Sequence, residues 1–217
     1  MSVTVVGVAK VFAFDGAIRQ PSQHAQLRAI LSMPPSLTVL AVFLSMNLQS
    51  TDVELFGAPV RFAQERAQLD ARWKALQREA HPDKFAAQGP AAQRVAMQWS
   101  VRINEAYQRL KDPLKRASYL CELHGAPINA ENNTAMPADF LMQQMEWREA
   151  LDEAESIDDL DKIALESKLS GRKQLSKIEH SLDDEKDFSA AAQQVRSLMF
   201  IERFANEVDA RIDQLGQ

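Results

Sequence analysis

His81-Pro82-Asp83 sets an imidazole and a carboxylate on either side of a proline, where a basic amphipathic helix must stop. Proline lacks an amide donor and disfavours helical geometry for the residue before it, so the chain turns out of the helix at His81. Both polar groups are then carried on a loop tip, where a rigid scaffold presents groups for recognition. Asp83 can accept charge-assisted hydrogen bonds from a partner's arginine, and the fixed Pro82 ring restricts the loop. This is recognition chemistry. No activated nucleophile can be assembled from the residues present, and no glycine-rich phosphate loop occurs. The plain alternative is a helix stop with an incidental polar loop, in which Asp83 caps the following turn.

A second set of residues with binding character lies on a helix predicted near 137–155. Phe140, Trp147, Leu151 and Ala154 fall on one side of it, a complete core stripe. Leu141, Met142 and Met145 fall on a different side, beside Glu146, Glu149 and Glu153. Methionine and leucine fringed by carboxylates form an adaptable recognition patch; the other reading buries both stripes. In the last helix, Leu198, Met199, Phe200, Ile201 and Phe204 span too wide an arc for one buried face, so one of them points outward. Cys121 and His124 have C-x-x-H spacing, but no second pair completes a tetrahedral zinc site, and Cys121 reads as a small buried apolar residue.

The elements that carry these residues follow from periodicity and punctuation. Leu69, Trp73, Leu76 and Ala80 trace one face of a helix near 64–80, with Lys74 and Arg78 opposite and His81 continuing that polar side. Gly89-Pro90 ends the loop, and Val95, Trp99, Ile103, Ala106 and Leu110 mark a long helix near 91–111. The two form an antiparallel hairpin joined at His-Pro-Asp. A short helical turn near 52–57 precedes it. Asp112-Pro113 opens a further helix that runs to a glycine stop at His124-Gly125. Residues 126–136 are turn-rich and read as a linker. Three helices follow near 137–155, 157–181 and 187–215; the second opens at Ser156-Ile157-Asp158-Asp159, and Asp183-Asp184 marks the break before the third.

Charge divides the chain. Residues 46–124 carry 12 Lys/Arg against 9 Asp/Glu, a balance of +3, while residues 125–217 carry 10 against 20, a balance of −10. A basic front and an acidic rear suit two partners of different surface, and the acidic rear argues against nucleic acid. One cysteine excludes an intramolecular disulfide and suits a reducing compartment, hence a cytoplasmic setting. No run approaches the ~18 apolar residues of a membrane span. In residues 1–45, Leu37 to Leu44 is apolar but short. We read Met46 as the start of the folded protein and the first 45 residues as a non-domain extension from an over-extended reading frame; an acid-poor targeting segment is the other reading.

The run of motifs in order resembles an HscB-type J-domain co-chaperone, from about Met46 to the end. Glu54-Leu55-Phe56-Gly57-Ala58-Pro59, His81-Pro82-Asp83-Lys84-Phe85, Ile103-Asn104-Glu105-Ala106-Tyr107 and Asp112-Pro113-Leu114-Lys115-Arg116-Ala117 carry the J-domain part. Phe140-Leu141-Met142-Gln143-Gln144-Met145-Glu146 carries the rest. The resemblance implies an all-α protein: a J-domain helical hairpin over 46–125, a linker over 126–136 and a three-helix bundle over 137–217. It implies that His81, Pro82, Asp83, Arg72, Lys74, Arg78 and Lys84 engage an HscA/DnaK-type ATPase, whose hydrolysis they trigger. It implies that Leu141, Met142, Met145, Glu146, Glu149, Glu153 and Phe200 bind an IscU-type iron–sulfur scaffold. It implies no catalysis, metal or cofactor in the chain itself. The cysteine pairs that hold metal in some eukaryotic members are absent from this sequence. One departure stands out: members commonly have an aromatic residue before the tripeptide, and here Ala80 implies looser loop packing. A general J-protein for another client and a DNA-binding helix-turn-helix built on the basic hairpin are the competing readings.

Overall fold

The computed structural model describes residues 50–129 and 136–216. The described residues are helical with short connections, and the C-terminal part is a helical bundle. Thr51 starts α1 (Asp52–Phe56) through a reciprocal cap: its hydroxyl accepts the Glu54 amide and the Glu54 carboxylate accepts its own amide. Gly57, at φ +60°, closes the helix in the left-handed region that glycine adopts at least cost. Asp52, 1% exposed, pairs with Arg102 and Arg109 and so ties α1 to the long helix below. Such a buried carboxylate holds only because both arginines meet it.

Helix α2 (Arg66–Glu79) ends where Pro82 forbids its continuation, and a 3₁₀ turn (Pro82–Gln88) leads to α3 (Pro90–Lys111). Their pairing is antiparallel, because partner numbers fall as the others rise. Tyr107 donates to Asp70, Trp73 to Asn104, Gln77 to the Ser100 carbonyl, and Ser100 to the Ala80 carbonyl. Of the predicted stripe, Leu69, Leu76 and Ala80 are buried, as are Trp99, Ile103, Ala106 and Leu110 of α3, whereas Trp73 stays half-buried and stacks on Tyr107 at the edge of the seam. Val95 is only half-buried; Ala96, the next residue round, takes the core position instead. At roughly 1.5–3 kcal/mol for each large apolar side chain buried, this stripe holds the hairpin together.

Helix α4 (Pro113–Leu123) is capped by Asp112, whose carboxylate accepts the Lys115 amide at 2.9 Å. It packs on the C-terminal bundle: Ala117, Leu120 and Cys121 share one core with Phe62, Ile128, Ile178, Leu182, Ala192, Val195 and Leu198. Burial pushes the Cys121 thiol up to about 11, so it is neutral and packs as an apolar group. The stretch after Gly125 does not leave the core at once, since Ile128 is buried and its carbonyl accepts from Arg196 at 2.9 Å. Part of the predicted linker, residues 130–135, lies outside the described residues, as do residues 1–49.

The bundle consists of α5 (Ala138–Glu153), α6 (Ile157–Glu179) and α7 (Phe188–Leu215). Trp147, Leu151 and Ala154 meet Leu160, Ile163, Ile201, Phe204 and Val208 in its core, with Trp147 stacked on Phe204. Asp183-Asp184 does not break the chain as the sequence suggests. Helix α6 runs on into a wider, π-helical turn (His180–Glu185), and the reversal falls at Lys186, φ +57°, with Asp187 capping α7. The reason is tertiary: Asp183 is occupied elsewhere. Its two oxygens accept the Phe62 and Ala63 amides, at 2.6 and 2.8 Å, from the loop between α1 and α2.

Candidate functional site

The tip between α2 and α3 is built to be rigid and open. Phe85 is buried beneath it and Ala80 is fully buried behind it, with the Ala80 carbonyl held by Ser100 at 3.2 Å. The small residue before the tripeptide is thus tied down by the neighbouring helix. His81 has extended backbone (φ −63°, ψ 125°), and its Nδ1 accepts the Asp83 amide at 3.3 Å, capping the 3₁₀ turn. Asp83 Oδ2 lies 3.5 Å from the same nitrogen, and the Asp83 side chain is 88% exposed. The carboxylate therefore faces solvent instead of serving as a cap. The capping role that a plain helix stop would give Asp83 is filled by His81.

Lys74, Arg78 and Lys84 are exposed around the tip. Lys74 and Arg78, one turn apart, share a face with His81 at about 100° per residue, whereas Arg72, equally exposed, lies roughly 200° round from Lys74. The structure thus joins six of the seven tip residues and leaves Arg72 on another flank. The α2–α3 seam is fixed by Tyr107, stacked on Trp73 and bonded to Asp70 at 2.6 Å. That bond raises the Tyr107 pKa and, with Arg66, lowers that of Asp70.

On α5 the two stripes separate as expected. Leu141, Met142 and Met145 are 44%, 63% and 72% exposed, although each is apolar. Glu146, Glu149 and Glu153 are exposed next to them. Phe140 is half-buried and meets Phe200 edge-on, with centroids 6.2 Å apart. Phe200 therefore sits half-buried beside the patch, while Met199 is the most exposed of the five apolar residues at that point of α7. A cleft of about 740 Å³ opens between α5, α6 and α7, lined by Phe140, Gln143, Trp147, Leu169, Lys173 and Gln194 among others. No group of acidic, histidine or cysteine side chains among the described residues is arranged to hold a metal ion.

Comparison with known proteins agrees with this geometry. The model of the family described as the HSCB C-terminal oligomerisation domain matches residues 136–209. The co-chaperone protein HscB homolog of Burkholderia multivorans is 50% identical over 173 residues, covering 78% of this chain and 98% of its own length. That of Burkholderia cenocepacia is 49% identical over the same span. The chain belongs to the HscB family. Among solved structures, chaperone HscB from Vibrio cholerae is 36% identical with a TM-score of 0.66, over 76% of this chain and 99% of that one. Human co-chaperone HscB is 26% identical with a TM-score of 0.69, over 78% and 84%.

HscB-type proteins are J-domain co-chaperones of iron–sulfur cluster assembly. They are not enzymes, and they act by stimulating a partner's ATPase. Two features of this HscB-family chain escape the reading of its sequence. One is the Asp183 contact across the fold, for which no local signal exists. The other is a pair of leucines on α6, Leu165 and Leu169, left exposed at 59% and 53%. The α6 period does contain that signal: Leu160, Ile163, Ala164, Ser167, Gln174 and Ile178 already complete its buried face.

Proposed function

We propose that this chain binds an IscU-type scaffold on the outer face of α5 and delivers it to an HscA/DnaK-type ATPase through the His-Pro-Asp tip. The ATPase-binding part is the J-domain over residues 46–125, and the scaffold-binding part is the three-helix bundle over 137–217, joined by the linker over 126–136. The observation that carries this reading is the double stripe of α5. A helix whose core side is filled by Trp147 and Leu151 still exposes a leucine and two methionines fringed by glutamates. Apolar side chains left in water beside carboxylates support a partner that buries the first and pairs the second.

His81, Pro82 and Asp83 contact the ATPase, with Lys74, Arg78, Arg72 and Lys84 steering the encounter through long-range attraction. Leu141, Met142, Met145, Glu146, Glu149, Glu153 and Phe200 contact the scaffold. Two modest contacts on one carrier raise the effective concentration of scaffold at the chaperone. No described helix is long and apolar enough to cross a membrane, and we place the action of this chain in the cytoplasm. The test is titration of the full chain with purified IscU-type scaffold. Saturable binding at micromolar concentration is expected; absence of binding, with ATPase stimulation retained, would favour a general J-protein with another client.

A further inference from the structure

Sulfur is divided sharply between the inside and the outside of this fold. The one cysteine, Cys121, is fully buried, and with its thiol pushed up to about 11 almost no reactive thiolate is present. The methionines lie outside. Met97, Met142 and Met145 are more than half exposed, Met199 is exposed to a lesser degree and Met136 is half-buried. Among the described residues no methionine is buried, although the thioether commonly serves to fill gaps in cores.

Two of these sulfurs sit together. Met145 and Met142 are the two most exposed large apolar side chains among the described residues, three positions apart on the outward side of α5. Exposed carboxylates stand one turn on from each, Glu146 after Met142 and Glu149 after Met145. The only cation on α5, Arg148, is paired with Glu207 at 2.6 Å. Both sulfurs are therefore open to solvent and flanked by hydrogen-bond acceptors.

An exposed thioether reacts with hydrogen peroxide in one step. The O–O bond breaks, one oxygen forms the S–O bond, sulfur gives up two electrons, and the other oxygen leaves as water with both hydrogens. The product, methionine sulfoxide, is polar, and its oxygen accepts hydrogen bonds but donates none. On the free chain that oxygen faces water and the fold is untouched, because the core side of α5 is filled by Trp147 and Leu151. Under a bound partner the same oxygen loses its water and finds Glu146 and Glu149 beside it, acceptors like itself.

We propose that Met142 and Met145 form a peroxide-sensitive modification site, at which conversion of the pair to sulfoxides releases the scaffold and leaves the fold intact. The proposal rests on our reading of the α5 face as the scaffold contact. The site is reversible: a methionine sulfoxide reductase breaks the S–O bond, the oxygen leaves as water and a dithiol closes to its disulfide. The His81-Pro82-Asp83 tip contains no sulfur, so oxidation acts on holding and spares the tripeptide.

The test treats the full chain with hydrogen peroxide, locates added oxygen by peptide mass spectrometry and titrates the product with purified IscU-type scaffold. Met142 and Met145 should each gain one oxygen, and Cys121 none. Scaffold binding should weaken by roughly 10-fold or more, as expected when polar groups are buried without donors, with helicity and melting temperature unchanged. Two variants locate the effect, each compared with itself before treatment. Met142→Leu/Met145→Leu should keep its own affinity through the treatment, whereas Met97→Leu/Met199→Leu should lose affinity as the wild type does. Incubation of the oxidised wild type with the two reductases, one for each sulfoxide epimer, and a dithiol should restore binding. Oxidation of both methionines with affinity unchanged overturns the proposal. So does resistance of both to peroxide that converts Met97, an equal loss in Met142→Leu/Met145→Leu, or a loss accompanied by a lower melting temperature. If the chain binds no scaffold before treatment, the scaffold reading fails and the site fails with it; if it binds and oxidation changes nothing, the site alone fails.

Discussion

The tip at His81-Pro82-Asp83 and the outer face of α5 present themselves to partners in opposite ways. The tip is small, charged and over-determined: a proline, a buried phenylalanine and a hydrogen-bonded carbonyl fix a single aspartate in solvent. The α5 face is broad and compliant, made of long side chains on a rigid backbone. A fixed charge loses little freedom on binding and is sensitive to one atom, whereas a methionine surface gains area gradually and tolerates change. On the function we propose, the tip is the contact suited to triggering and the α5 face the one suited to holding.

The most severe way to probe this contrast is Asp83→Asn. Loss of a single charge at the tip should reduce stimulation of the partner's ATP turnover to the level seen without co-chaperone, with the melting temperature unchanged because the side chain is exposed. Persisting stimulation would break the comparison. Next in size, Leu141→Ala with Met145→Ala should weaken scaffold binding by about 10- to 100-fold, as expected for ~1.5–3 kcal/mol of lost apolar contact. Calorimetric titration measures it, and either single change should have a graded effect. A cliff at one residue would mean that the α5 face is as sharply tuned as the tip.

Asp183→Ala affects neither contact directly. It leaves the Phe62 and Ala63 amides without their acceptor, so the midpoint of urea unfolding should fall by an amount equivalent to about 1–3 kcal/mol. Tip and α5 activities measured separately on the folded fraction should persist. The smallest effect belongs to His180, whose pKa is raised by its bond to Asp184 and by the charge of Glu185. Protonation in the folded state is favoured, so this contribution is complete below the ordinary imidazole range and fades as pH rises through the raised value. The melting-temperature difference between wild type and His180→Gln should accordingly shrink between pH 5.5 and pH 8.

Much of this was readable in advance because it is local. Helix starts at Asp112 and Ser156 are caps that act within three residues, and the stops at Pro82 and Gly125 act within one. The core stripes of α2 and α5 follow from a period of 3.6. The failures are non-local. Val95 gave way to Ala96 because packing against the neighbouring helix selects the exact angle of the stripe. Asp183-Asp184 resembled a break because two aspartates disfavour helix, yet a loop 120 residues earlier claims one of them.

By itself, the order of residues determined the helical elements, the exposed charge at the tip and the amphipathic faces that had to find partners or water. Those are consequences of backbone sterics and of side-chain period, both complete within a few residues. Only the tertiary structure decided which apolar faces stay uncovered, that α4 joins the C-terminal core, and that α6 ends in a wide turn. Each of these depends on which surfaces meet across more than fifty residues of chain, and burial is a property of the pair, absent from either member alone.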